Sequence, residues 1–128
     1  MLKSVSVLTA DDQPLFRAAA RDVIVATPGF EFVGEAASGF EAIELFAALA
    51  PDLVLIDVRM PGLDGIETTR RLRARHPRAA VVLISLDDLS DLESVTASCG
   101  AAAFVRKQDL SPRVLAGVWD QVRSSSTS

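Results

Sequence analysis

The sequence predicts an α/β fold: a doubly wound sheet of five parallel strands in the order 2-1-3-4-5, with five helices. Three observations carry the α/β class, and the order is a common one for doubly wound sheets. Short apolar runs alternate with helix-period stretches along the chain, and strands alternating with helices give parallel sheets with right-handed crossovers. Two of the runs, residues 53–56 and 79–84, are apolar throughout, as in strands covered on both faces. The chain has 128 residues, 49% of them hydrophobic, which is one domain with a core of its own.

Each element has its own local reason. Val5, Val7 and Leu8 lie in a first apolar run that stops at Asp11. Pro14 opens a helix over residues 15–26, because a first-turn proline has no hydrogen bond to lose. Phe16, Ala20, Val23 and Ile24 share one face of it. Thr27, Pro28 and Gly29 end that helix, and residues 30–37 read as the second strand. Ser38 and Gly39 precede a helix over residues 40–49, with Ile43, Phe46 and Ala47 on one stripe, closed by Pro51. Residues 53–56 are the third strand. Residues 64–75 form an arginine-rich helix closed by His76 and Pro77, with Leu72 inward and Arg70, Arg71, Arg73 and Arg75 on the wet face.

Residues 79–84 are the fourth strand. A helix over residues 89–98 ends near Gly100, and Asp87, Asp88, Asp91 and Glu93 form a solvated charge cluster at its amino end, where acids are favoured. Residues 102–105 are the last strand, and Pro112 starts a helix reaching about Arg123. Residues 124–128 are serine and threonine only; they read as a linker's start or a disordered tail.

Composition removes whole classes of function. Net charge is -4, from 13 Lys and Arg against 17 Asp and Glu, which argues against direct binding of nucleic acid. One cysteine, Cys99, and one histidine, His76, leave no disulfide framework and no Cys/His zinc site. His76 stands before Pro77 among Ala, Arg and Leu, a poor setting for a Ser-His-Asp catalyst. Cys99 reads as a small apolar packing residue. Residues 1–10 lack the long apolar region of a signal peptide, and no window approaches the roughly 18 apolar residues of a membrane span. The expected location is cytoplasmic, without membrane contact.

What remains is the chemistry of carboxylates, hydroxyls, lysine and a hard metal ion. In open α/β sheets, sites form at the carboxyl ends of the strands. There stand Asp11 and Asp12 after strand one, Asp57 after strand three, Ser85 at the end of strand four and Lys107 after strand five. If the order is 2-1-3-4-5 these four strands are neighbours, and the five side chains then converge. Three close carboxylates repel, and one would stay protonated unless a cation joins them. Hard oxygens in small number suit Mg²⁺. A carboxylate beside the ion can attack a phosphoryl group, while Lys107 and the Ser85 hydroxyl meet its oxygens. Taken singly, each residue has a plainer role: Asp11 and Asp12 as helix-opening acids, Asp57 as a turn residue, Ser85 as a cap, Lys107 as a solvated lysine, Phe104 as core. The full set outweighs those readings and points to phosphoryl transfer to Asp57.

The stretch Asp57-Val58-Arg59-Met60-Pro61-Gly62-Leu63-Asp64-Gly65, with Asp11 and Asp12 upstream and Ser85 and Lys107 downstream, strongly resembles receiver domains of two-component response regulators. These have a CheY-like, flavodoxin-like (βα)5 fold. The resemblance covers residues 5–123. Residues 11–17 (Asp-Asp-Gln-Pro-Leu-Phe-Arg), 33–39 (Val-Gly-Glu-Ala-Ala-Ser-Gly) and 65–72 resemble the LuxR/NarL-type subfamily. It implies that Asp57 is the phosphoacceptor. Asp12 is then a direct ligand of Mg²⁺ or Mn²⁺, Asp11 a ligand often acting through water, and the backbone carbonyl of Arg59 completes the protein's share. Ser85 is the switch hydroxyl, Phe104 the aromatic that turns inward with it, and Lys107 the phosphate-pairing lysine. Pro61, Gly62, Asp64 and Gly65 resemble the turn after the acceptor.

The same resemblance implies a receiver domain over residues 1–123, phosphorylated by a sensor histidine kinase. It would be no enzyme beyond catalysing its own phosphorylation and dephosphorylation, and would homodimerise when phosphorylated. DNA binding would come through a C-terminal helix-turn-helix domain outside this chain; the alternative is a stand-alone receiver. Leu86 departs from the small residue many receivers carry after the switch hydroxyl, and its bulk would either narrow access to the phosphoryl group or alter the path of Phe104. Gln108 replaces a proline common after the lysine, so a trans bond is expected there. Arg59 and Asp87 flank the site where they could influence phosphate lifetime. An aspartate-nucleophile phosphatase would need a second Asp at position 59, where Arg59 stands. A flavin binder would need a Ser/Thr/Gly-rich loop where Asp11-Asp12-Gln13-Pro14 stand. A non-phosphorylated pseudo-receiver is disfavoured because every signature position is filled.

Overall fold

The computed structural model describes residues 3–86 and 92–126. In chain order the elements are β1 (Val5–Ala10), α1 (Pro14–Ala26), β2 (Phe30–Ala36), α2 (Gly39–Leu49), β3 (Leu53–Asp57), α3 (Gly65–Arg75), β4 (Val81–Ser85), α4 (Leu92–Cys99), β5 (Ala103–Arg106), a short 3-10 helix (Lys107–Asp109) and α5 (Pro112–Ser126). The strands form one parallel sheet in the order β2-β1-β3-β4-β5. This is the expected fold.

Alternation along each strand sends neighbouring side chains to opposite faces. Leu8, Ala10, Val54, Ile56, Val81 and Leu83 pack with Ala42, Ile43 and Phe46 of α2 and Leu72 of α3. Val7, Leu53, Leu55, Val82, Ile84 and Val105 pack on the other side with Ile24 of α1 and Leu115 of α5. Both faces are covered, which explains why the central strands read as unbroken apolar runs.

Local chemistry sets where helices begin. The Ser38 hydroxyl accepts from the Glu41 amide at 3.1 Å, satisfying one orphan donor of the first turn of α2, and the Glu41 carboxylate reaches back to accept from the Ala37 amide at 2.7 Å. Asp64 caps α3 by accepting from the Glu67 amide at 2.8 Å. Gly65 then lies so close to β3 that a Cβ there would overlap the Asp57 carbonyl. Its amide donates to the Val58 carbonyl at 2.9 Å, which ties α3 to the end of β3. Gly62, at φ +80°, supplies the left-handed bend the intervening turn needs.

Several details differ from expectation. Ala47 is exposed; the buried stripe of α2 is Gly39, Ala42, Ile43 and Phe46, and position 47 lies one turn further round its edge. Arg73 does not belong to the wet face of α3. Its Nη1 donates to the carbonyls of Pro77 and Ala79, because a long side chain in a helix's last turn can reach carbonyls just beyond it. Arg70, Arg71 and Arg75 are exposed as expected. The strand expected over residues 79–84 is displaced to Val81–Ser85, and α5 continues through Ser126, so residues 124–126 are helical. The start of the helix expected at Leu89, together with Asp87, Asp88 and Asp91, lies outside the described residues, as does the Glu93 side chain. Cys99 is buried and free. The Lys107–Gln108 bond is trans. Among the described residues no helix is long and apolar enough to cross a membrane.

Candidate functional site

Four strands deliver the site. The Asp11 amide donates to the Ala36 carbonyl at 3.0 Å, extending the β1–β2 ladder by one residue and holding Asp11 at the sheet's edge. Its residue exposure is only 2%. Asp12 follows and is exposed. Asp57 ends β3 and Ser85 ends β4, both buried. Lys107 opens the 3-10 helix after β5 and is also buried.

The buried charges meet. Lys107 Nζ lies 2.7 Å from Asp11 Oδ2 and 3.4 Å from Asp57 Oδ2. It also lies 3.5 Å from Gln13 Oε1 and 4.5 Å from the centre of the Phe16 ring. Asp11 Oδ1 accepts from the Gln13 amide at 2.8 Å, and Asp57 Oδ1 from the Arg59 amide at 3.3 Å. Asp11 Oδ2 is buried and has no aligned hydrogen-bond donor; Lys107 balances its charge through proximity alone. One carboxylate oxygen from each of Asp11, Asp12 and Asp57 lies within 4.8 Å of the others.

Burial, and next the charge of Asp11, pushes the Asp57 carboxyl above the usual carboxylate value of 3.8; Lys107 and the Arg59 amide pull the other way. A second cation would relieve that repulsion. Three hard oxygen donors, one of them buried without an aligned donor, fit an Mg²⁺-class ion. A cleft of about 260 Å³ gives access to Asp57, lined by Gln13, Asp57, Arg59, Ser85, Leu86 and Lys107. Leu86, 61% exposed, is the apolar wall of that cleft. A larger cleft, about 790 Å³, is lined by residues such as Arg78, Ala97 and Val122 and contains none of these groups.

Asp11, Asp12, Asp57, Ser85 and Lys107 therefore converge as their strand positions require. Arg59 stands at the cleft, and it meets Asp57 through its amide, whereas the expectation concerned its carbonyl. Phe104 is half-buried and packs against the α2–α3 side of the core. Sequence reasoning missed Gln13 and Phe16 as partners of Lys107. Phe16 was legible only as a core-face residue of α1, and Gln13 carried no signal beyond its place in the motif.

The sequence matches the family described as the response regulator receiver domain over residues 7–117. The chain belongs to this family, the phosphorylation-activated switch of two-component signalling. It is similar to the nitrate/nitrite response regulator protein NarL of Escherichia coli K12, with 34% identity over 110 residues, covering 86% of this chain and 50% of NarL. It is also similar to protein-glutamate methylesterase/protein-glutamine glutaminase 4 of Myxococcus xanthus, with 37% identity over 106 residues, 83% of this chain and 30% of that protein. The chain thus spans half or less of these relatives' length.

Among solved structures, the signal receiver domain of the response regulator NarL from Mycobacterium tuberculosis superposes with a TM-score of 0.85 at 34% identity, covering 94% of this chain and 98% of that one. The CheX–CheY–BeF3–Mg complex from Borrelia burgdorferi gives 0.79 at 27% identity, covering 98% and 92%.

Proposed function

We propose that Asp57 accepts a phosphoryl group from a sensor histidine kinase. Asp11, Asp12, Asp57 and the Arg59 carbonyl would hold the divalent ion, Mg²⁺ or Mn²⁺. The observation that carries the reading is the Asp57 carboxylate on the cleft wall, grouped with two further carboxylates and 3.4 Å from Lys107.

An Asp57 carboxylate oxygen attacks phosphorus, the phosphorus–nitrogen bond of the donor's phosphohistidine breaks, and the imidazole leaves with that electron pair. The bound ion supplies charge neutralisation to the phosphoryl oxygens. The Arg59 amide orients Oδ1 of Asp57, and Oδ2, held only by the long 3.4 Å contact with Lys107, is the oxygen that attacks. Lys107, already shared between Asp11 and Asp57, turns its ammonium to the new oxygens. The Ser85 hydroxyl donates to another, and Phe104 follows Ser85 inward, which reshapes the surface around β4, α4 and β5. The Borrelia complex, in which CheY is found with BeF3 and Mg, supports this reading by analogy.

The receiver occupies residues 1–123, with α5 running on through Ser126. A C-terminal helix-turn-helix domain that binds DNA, and homodimerisation on phosphorylation, complete the proposal; the greater length of the NarL relative supports it. The domain works in the cytoplasm and acts as an enzyme only on itself, in gaining and losing its phosphoryl group. With acetyl phosphate and Mg²⁺, intact protein gains one phosphoryl mass and Asp57→Asn gains none. Absence of any gain in the wild type, with acetyl phosphate and with a phosphorylated histidine kinase, overturns the proposal.

A further inference from the structure

Residues 11–17 and 33–39, two motif stretches well apart in the sequence, meet at one side chain. Arg17 lies in the first turns of α1. Its Nε donates to Glu35 Oε2 at 2.7 Å, and its Nη1 donates to the backbone carbonyl of Asp11 at 2.7 Å. The Arg17 side chain is 18% exposed. Asp11 is held on three further sides: its amide donates to the Ala36 carbonyl, Oδ1 accepts from the Gln13 amide, and Oδ2 lies 2.7 Å from Lys107 Nζ without an aligned donor.

The carbonyl that Arg17 holds belongs to the peptide joining Asp11 to Asp12. That plane sets the direction in which the Asp12 side chain leaves the backbone. Gln13, the residue before α1, makes no side-chain cap at the helix start, so the turn does not depend on a cap for its shape. A guanidinium is suited to the task. Its donors are fixed in a planar fork and can serve a carbonyl and a carboxylate together, whereas an ammonium donates from one point. An exposed ion pair by itself contributes little; here Glu35 aims a fork whose other prong acts on the acidic turn.

We infer that Arg17, braced by Glu35, is a positioning residue for the acidic site: it holds the Asp11–Asp12 peptide so that both carboxylates face the same divalent ion as Asp57. The inference rests on the metal-binding reading above. It is tested by calorimetric titration of Mg²⁺ into the wild type, Arg17→Lys, Arg17→Met, Glu35→Gln and the exchanged pair Arg17→Glu/Glu35→Arg, with thermal melts and amide hydrogen exchange on the same metal-free samples.

Arg17→Lys and Arg17→Met should lose affinity about tenfold, the usual scale for an outer partner of a metal ligand. Their melting temperatures should stay near the wild type's, and the Asp12 and Gln13 amides should exchange faster. Glu35→Gln should lose less, in the same direction. The exchanged pair keeps opposite charges but not the grip on the carbonyl, and should bind as weakly as Arg17→Met. A wild type with no saturable Mg²⁺ binding overturns the metal-binding reading itself. With the wild type binding, undiminished affinity in Arg17→Lys and Arg17→Met overturns the positioning role. Recovery in the exchanged pair, or an affinity loss matched by lost folding, reduces Arg17 to an ordinary structural ion pair and overturns it equally.

Discussion

Ile56 and Asp57 are neighbours in β3, and both are nearly sealed from water, at 0% and 6% exposure. Ile56 lies in hydrocarbon with Leu8, Val54 and Leu83. Asp57 faces the opposite way, towards Asp11 and Lys107. Equal burial has opposite consequences at the two positions. Hydrocarbon gains about 25 cal/mol for each Å² removed from water. A buried carboxylate loses hydration, and beside Asp11 it is repelled as well. The strand middles therefore hold the domain together, and the strand ends keep a charge poised for chemistry at some expense to stability.

The largest expected effect tests the strand ends. Asp57→Asn should abolish phosphoryl gain in intact-mass measurements while leaving the thermal midpoint unchanged or higher, because one of two repelling groups goes and Lys107 keeps Asp11. A clear drop in the midpoint would break the contrast. The matching change in the strand middle is Ile56→Ala. It should cost about 2–5 kcal/mol in urea unfolding, yet the folded fraction should still take up a phosphoryl group. Loss of uptake in protein shown to be folded would mean that the two regions are not separable.

A smaller effect follows from acidity. The native Asp57 carboxyl titrates above 3.8, so between that value and its native value the folded protein holds a proton the unfolded chain has lost. Stability contributed by this group is complete below the lower value and falls as pH rises through the native one. Urea unfolding of the wild type minus that of Asp57→Asn, across acidic to neutral pH without metal, should show this negative slope. A flat or rising difference would remove the raised pKa. The subtraction matters because acids such as Glu67, which Arg71 and Arg70 hold below the ordinary value, act in the opposite sense.

The smallest effect belongs to the rim. Leu86→Ala removes an exposed apolar wall, so stability should move by no more than about 0.5 kcal/mol. Phosphorylation by acetyl phosphate should speed up by less than about tenfold, ~1.4 kcal/mol of barrier. A slower reaction would show that Leu86 helps shape the cleft instead of narrowing it.

Much of the fold was legible because its signals are local. Proline and glycine punctuation, together with hydrophobic period, set the strand–helix alternation within a few residues. Where those signals failed, the cause was reach. Arg73 has the composition of a solvated helix face, but its length lets it turn back to the loop carbonyls. Ala47 satisfies the spacing of a buried stripe and still lies outside it, since alanine neither demands nor resists burial. The serines at 124–126 carry no apolar period, yet the preceding helix extends over them.

The sequence by itself determined which residues stand at the carboxyl ends of β1, β3, β4 and β5. Strand polarity and right-handed crossovers leave Asp11, Asp12, Asp57, Ser85 and Lys107 nowhere else to go. It also contained the motif that marks Asp57. Only the tertiary structure decided that Lys107 rests closer to Asp11 than to Asp57, that Gln13 and Phe16 share its ammonium, and that Arg17 and Glu35 join two distant motifs at the Asp11 carbonyl. Strand register and helix packing choose among such competing partners, and neither is written in any local stretch of the chain.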